Sequence, residues 1–175
     1  MLDAALGLAL EGGWDGVQMR EVANRAEVAL GTLYRYFPSK EHLLVSVMLD
    51  QVRALADRLS VRPPKGDDRV ERVTDVLRRA NRNLQAQPEV TTAMIRALVS
   101  GNTDVAPVVA SVREEMRRII SDALADEGVP DAARLVQIDL LSDVWLAALV
   151  GWISGAEGPD AVLPHLADAA TLLLA

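Results

Sequence analysis

The chain has 175 residues, half of them hydrophobic, and a formal net charge of −7. That length and apolar content describe a globular chain with room for one sizeable core, or for a small domain joined to a larger one, and exclude a disordered one. With no cysteine in the sequence, disulfides, zinc–thiolate sites and thiol catalysis are excluded, which fits a cytoplasmic protein. The sequence reads as lacking the roughly 18 consecutive apolar residues of a bilayer span, and its amphipathic N-terminal segment, with Asp3 in the first turn, is no signal peptide.

Leu2, Leu6 and Leu10 recur at every fourth position and predict a first helix over 2–11, ended by Gly12-Gly13. Trp14 is expected to plug the core between this helix and the next. Met19 to Ala26, with Val22, Ala23 and Ala26 at apolar spacing, predicts a short second helix. Glu27-Val28-Ala29 makes a tight connection, and a third helix follows over 30–36.

The stretch Leu30 to Lys40, LGTLYRYFPSK, holds both tyrosines and the only phenylalanine of the chain. Leu33 and Phe37 lie four apart, on one face that can be buried. Thr32, Tyr34, Arg35 and Tyr36 then project elsewhere as hydroxyls, aromatic rings and a guanidinium, the side-chain set that reaches phosphates and base edges. Pro38 disfavours helical geometry at Phe37, and Ser39 is placed to cap a further helix. Two short helices joined by a tight turn form a helix-turn-helix, whose second helix enters the DNA major groove.

Residues 17–44, VQMREVANRAEVALGTLYRYFPSKEHLL, resemble the DNA-binding segment of the tetracycline-repressor (TetR) family of bacterial regulators, with GTLYRYFPSKEHLL the most specific part. Within that family the likeness is narrowest to the repressors of sterol catabolism in actinobacteria. It also takes in TTAMIRALV from Thr91 and SDVWLAALVGW from Ser142. The resemblance implies DNA contacts residue by residue. Arg20 is expected to read guanine or hold phosphate. Thr32, Tyr34, Tyr36 and Lys40 are expected to grip phosphates, with half-buried packing the alternative for the two tyrosines. Gly31 would let the backbone approach closely. Arg35 and Leu30 would read sequence, with Gln18 and Met19 at the edge.

The segment departs from the family pattern at two positions in the turn and one at the start of the third helix. Glu27 stands where glycine is common, Ala29 where a capping serine is common, and Leu30 where a polar base-reading residue is frequent. Leucine there reads by apolar contact with a thymine methyl and donates no hydrogen bond. Local charge is not basic either: Arg20, Arg25, Arg35 and Lys40 face Asp3, Glu11, Asp15, Glu21, Glu27 and Glu41 over residues 1–44. Family members usually carry a basic arm before the first helix, and the sequence shows none ahead of Leu2.

Beyond the motif, apolar spacing predicts a fourth helix from Ser39 to about residue 60, a loop over 62–67 containing Pro63-Pro64, and a fifth helix over 68–86. Arg72, Arg78, Arg79 and Arg82 lie off the apolar line of the fifth helix, either as a solvated face or as an anchor for an anionic ligand such as a coenzyme A thioester. Pro88 starts a sixth helix over 88–99. The seventh spans 104–127 and ends at Gly128-Val129-Pro130; Asp131 caps an eighth that continues to about 154. The eighth is apolar around much of its circumference, so it must be buried on two sides. The ninth covers 160–174, with Pro164 marking a late start.

The sequence therefore predicts an all-α, nine-helix protein with no strand, divided into a DNA-binding part at 1–44 and a ligand-binding and dimerising part at 45–175. The resemblance implies a homodimer through helices eight and nine. It also implies a small-molecule pocket for which Met48, Leu55, Leu77, Met94, Leu98, Met116, Ile120, Trp145 and Leu149 are candidates, each equally readable as plain core. Apolar walls suit a hydrophobic effector, and the narrower likeness suggests a steroid or acyl-CoA metabolite. No cofactor, metal or membrane partner is implied. His42 and His165 are far apart, and Asp139 with Asp143 reads better as one exposed and one buried, paired acid than as an acid/base pair, so catalysis lacks parts. The competing reading is a helical ligand-binding protein that has lost DNA binding.

Overall fold

The protein is represented by a computed structural model, which describes residues 1–124 and 132–174. Among these, nine α-helices and one 3-10 turn follow in order: α1 (Leu2–Gly16), α2 (Met19–Arg25), α3 (Leu30–Tyr36), α4 (Lys40–Val61), α5 (Arg69–Ala86), α6 (Pro88–Leu98), the turn Thr103–Val105, α7 (Ala106–Ala123), α8 (Ala132–Ile153) and α9 (Pro159–Leu174). The described residues contain no strand. The chain divides into two compact units, Met1–Gln51 with Ala86–Val112, and Val52–Gln85 with Arg113–Ala175.

In the first unit, α1 packs on α6 and α2, and α2 packs on α3. The buried face of α1 is Ala4, Ala5, Leu8 and Ala9, while Leu10 is exposed. The leucine spacing pointed to another face. Small side chains facing α6 let the two backbones approach closely, and that contact overrides the leucine stripe. Helical geometry breaks at Gly12 and Gly13 as expected, with Gly13 at φ 56°, but the chain resumes a turn as far as Gly16. The α2–α3 connection bends sharply at Glu27, which sits in the left-handed region at φ 53°. This accounts for the glycine usual at that position: a side chain there costs roughly 1–2 kcal/mol.

Caps follow local chemistry. The Ser39 hydroxyl accepts a bond from the His42 N–H at 3.1 Å and so starts α4. The Asp68 carboxylate accepts from the Glu71 N–H at 2.9 Å, and Glu71 in turn accepts from the Asp67 N–H at 2.8 Å. The N-cap of α3 is Ala29, with no side-chain bond. Ala29→Ser is expected to raise stability by ~1 kcal/mol. Glu27→Gly should add somewhat less, because relief of the backbone is partly offset by a freer unfolded chain. Thermal melts should move upward by about 2–4 °C per kcal/mol for a chain of this size. A melt left unmoved by Ala29→Ser would mean that water already satisfies the first turn of α3.

In the second unit, α8 packs on α9. Ile138, Leu141, Trp145, Ala148 and Leu149 are buried on α8, and Val162, Leu166, Ala170 and Leu174 on α9. Helix α9 starts at Pro159 and runs through Pro164, so the expected late start does not occur. Only one ladder bond is lost when a proline sits this early in a helix. Arg72 Nε donates to the Ala123 carbonyl at 2.9 Å, Gln85 Nε2 donates to the Pro159 carbonyl at 2.6 Å, and Arg69 Nε donates to the Leu174 carbonyl. These bonds tie α5 to the ends of α7 and α9.

By length and composition α8 could cross a membrane, which the sequence reading overlooked. Its two acids argue for a bundle helix instead. Arg117 of α7 grips Asp139 through two contacts of 2.8 Å, and Arg113 reaches Asp143 at 2.9 Å. The sequence expectation of one exposed and one buried acid is therefore half met: Asp143 is exposed, but Asp139 is half-exposed rather than buried, and both pair within their own chain. The expected seventh helix begins with the separate 3-10 turn, capped by Asn102, whose side-chain oxygen accepts from the Asp104 N–H at 3.0 Å. Its expected end at Gly128-Val129-Pro130 and the Asp131 cap lie outside the described residues.

Candidate functional site

Helix α3 is fixed by one buried side chain, Leu33, from which everything polar on the helix points away. Tyr34 and Tyr36 are 47% and 56% exposed, so about half of each side chain is open to solvent. Arg35 is also exposed, and its guanidinium carbon lies 5.3 Å from the Tyr36 ring centroid. Thr32 and Leu30 are half-buried. A Cβ at Gly31 would meet nothing within 4 Å, so no packing inside the protein demands glycine there. At the start of α2, which packs on α3, Gln18 and Arg20 are exposed and Met19 is half-buried. One unit thus presents hydroxyls, aromatic rings and two guanidiniums on and beside one short helix.

The cations are not equally free. Arg25 forms a two-pronged ion pair with Glu11, at 2.8 and 2.9 Å. The hydrogen bond from Arg25 is the main reason the Glu11 carboxyl is held below its ordinary range. Arg20 and Arg35 have no ion pair among the described residues. Pairing of Arg25 with Glu11 leaves Arg20 and Arg35 as the arginines of α2 and α3 without an ion pair among the described residues, in an N-terminal segment that is acidic as a whole.

Lys40 behaves differently from its expected role. Its ammonium lies 4.3 Å from the Trp14 ring centroid, and the Arg96 guanidinium of α6 lies 4.5 Å from the same ring. Trp14 is half-buried, not a core plug: two cations cover it. Burial lowers the pKa of Lys40, and Arg96 adds to this, against the opposing pull of Asp15 and Glu41. A lysine held this way reaches a phosphate only at the end of its stem. Lys40→Ala is expected to reduce the salt dependence of DNA binding by about one phosphate contact. An unchanged slope would leave Lys40 with the indole alone. Arg96 was missed in the sequence, where nothing on α6 announces that it meets Trp14.

The nine pocket candidates divide between the units. Met48 and Met94 are buried and Leu98 is half-buried in the first; Leu55, Leu77, Met116, Ile120, Trp145 and Leu149 are buried in the second. Leu55 lines a cleft of about 900 Å³ in the second unit, and none of the nine lines a second cleft there of about 280 Å³. Trp145 carries a further feature that its apolar reading hid: its indole Nε1–H is buried without a partner among the described residues, as is Asn81 Oδ1. A buried donor left unpaired costs ~1–3 kcal/mol. Of the four arginines singled out on α5, Arg72 is spent on the Ala123 carbonyl, and Arg78 and Arg79 pair with Asp75 at 3.1 and 2.6 Å.

Residues 1–47 match the family model described as bacterial regulatory proteins of the tetR family, and residues 66–173 match the one described as a tetracyclin repressor-like C-terminal domain. The chain is similar to the HTH-type transcriptional repressor KstR of Rhodococcus jostii, with 40% identity over 174 residues, covering 99% of this chain and 81% of that protein. Among solved structures it is similar to a TetR transcriptional regulator from Rhodococcus sp. RHA1 (TM-score 0.89, 36% identity, 99% of this chain and 92% of that one). The fold is shared with FadR of Thermus thermophilus, a repressor solved in complex with lauroyl-CoA (TM-score 0.72, 20% identity, 99% and 91% coverage).

Proposed function

The chain belongs to the TetR family of bacterial transcriptional regulators, and from that premise we propose that it is a cytoplasmic, homodimeric repressor released from its operator by an apolar small molecule. The observation that carries the reading is the display on α3: one buried leucine, and around it exposed Tyr34, Arg35 and Tyr36. In this reading residues 1–44 bind DNA, with Arg35 and Leu30 reading bases, Gln18, Met19 and Arg20 beside them, and Thr32, Tyr34, Tyr36 and Lys40 on phosphates. Residues 45–175 sense the ligand and dimerise. No step of this function is catalytic.

Two features support the finer parts. Val136, Leu140 and Val144 of α8 are 57%, 46% and 36% exposed at four-residue spacing, an apolar stripe opposite the face that packs on α9. A second copy of α8 and α9 would bury it as a four-helix bundle and set the distance between two recognition helices. The buried, unpaired Trp145 Nε1–H suits a pocket whose mostly apolar walls include a single donor. FadR of Thermus thermophilus, which shares the fold, binds lauroyl-CoA, and the sequence resemblance adds a steroid, so the effector expected here is a fatty acyl or steroid group carried on coenzyme A. An apolar ligand that prefers the form unable to bind DNA weakens DNA binding by linkage.

Footprinting on the DNA upstream of the gene and its neighbours tests this reading. It should show one protected near-palindrome, with half-sites about one helical turn or a multiple of it apart, that becomes unprotected when a steroid or long-chain acyl-CoA thioester is added. Protection that no such thioester relieves would remove that effector class. Absence of any protected site would favour a ligand-binding bundle without DNA function.

A further inference from the structure

We propose that the cleft formed by the end of α4, the loop after it and α5 binds the phosphate groups of a small molecule carrying two or more of them. The cleft has a volume of about 900 Å³, and Arg58, Arg62, Lys65, Arg79 and Arg82 line it against a single carboxylate, Asp57. These cations converge in a protein whose net charge is −7.

The wall is built rather than incidental. The Asp75 carboxylate accepts from the Lys65 backbone N–H at 3.1 Å and pairs with Arg79 at 2.6 Å. Arg79 also donates to the carbonyls of Arg62 and Pro63, at 2.6 and 3.1 Å. These bonds staple the loop onto α5 and hold the rim in place. The side chains of Arg58, Arg62, Lys65 and Arg82 have no carboxylate partner among the described residues. A cation in the last turn of a helix favours its dipole, which accounts for Arg58 but not for Arg62, Lys65 and Arg82 meeting it in one cleft. Four like charges close together repel, and clustered phosphates are the ligand chemistry that relieves this, through charge-assisted and two-pronged hydrogen bonds. Leu55, Val61 and Pro63 give the same cleft an apolar side, which suits the body of a nucleotide better than bare pyrophosphate. In sequence the clue was the four-residue spacing of Arg58 and Arg62, passed over in favour of the arginines of α5.

This inference deepens the ligand-sensing reading and rests on it for its consequence, but binding is measured separately. Calorimetry with coenzyme A, ATP and AMP should be run on the full-length protein and on Arg58→Gln/Arg82→Gln. These two side chains are exposed, so the fold should survive, and an unchanged melt checks that. Coenzyme A or ATP should bind the unaltered protein saturably and AMP at least tenfold more weakly. The double variant should lose tenfold or more. A preference for coenzyme A assigns an acyl carrier, and a preference for ATP a free nucleotide. Equal affinity in the double variant, or AMP binding as well as ATP, overturns the proposal. An equal loss of duplex DNA binding in the double variant, without loss of either nucleotide, assigns the cleft to nucleic acid and overturns it too. Operator binding in the same samples separates failure of the cleft from failure of the repressor reading.

Discussion

Leu140→Asp with Val144→Asp is expected to convert the protein to a monomer and to weaken operator binding by a hundredfold or more. Both side chains are partly exposed on α8, 46% and 36%, in line with Val136. Burying such a side chain against a partner is worth about 1.5–3 kcal/mol. An aspartate in its place adds the cost of a buried, unpaired charge, several kcal/mol more, so dimerisation should fall by at least three orders of magnitude. Two recognition helices held on one frame gain roughly 10²–10⁴ in affinity over one, and that gain is lost with the dimer. Sedimentation velocity reads the oligomeric state and fluorescence anisotropy the affinity. A double variant that remains a dimer with unaltered operator binding would show that α8 does not form the interface. The charge partners of this helix do not confuse the result, since Asp139 and Asp143 are held by Arg117 and Arg113 of the same chain.

The second large effect concerns sequence preference. Arg35→Ala should cost ~1–3 kcal/mol on the cognate operator and almost nothing on scrambled DNA, so that the ratio between the two collapses. Arg35 is exposed, has no ion pair among the described residues, and rests 5.3 Å from the Tyr36 ring centroid, which holds the guanidinium without neutralising it. Comparing the variant across single-base changes of the operator identifies the position read. A uniform loss over all sequences would make Arg35 a phosphate contact and leave base reading to Leu30 and the start of α2.

Elements governed by neighbouring residues were legible in the sequence. The bounds of α2 and α3, the Ser39 cap and the break at Gly12-Gly13 all depend on residues within one or two turns. The departures at Glu27 and Ala29 were visible as departures, and the structure supplies their meaning: a left-handed backbone at φ 53° and an N-cap without a side-chain bond. Features set by partners far along the chain were not legible. The alanine face of α1 is chosen by α6, the covering of Trp14 by Lys40 and Arg96, and the pairing of Asp139 by α7. The cationic cleft escaped for the same reason, since Lys65 and Arg82 meet only after the loop is stapled by Asp75 and Arg79. In the recognition segment the aromatic cluster itself was the signal, because a surface helix with two exposed tyrosines has no use for them in its own core.

The most direct test of the central claim is fluorescence anisotropy of the full-length protein on labelled DNA from upstream of its own and neighbouring genes, at two salt concentrations. The account predicts saturable binding to one fragment, at least a thousandfold tighter than to scrambled DNA, and weakening as salt rises. Binding no tighter to any of these fragments than to scrambled DNA, at both salt concentrations, would contradict it.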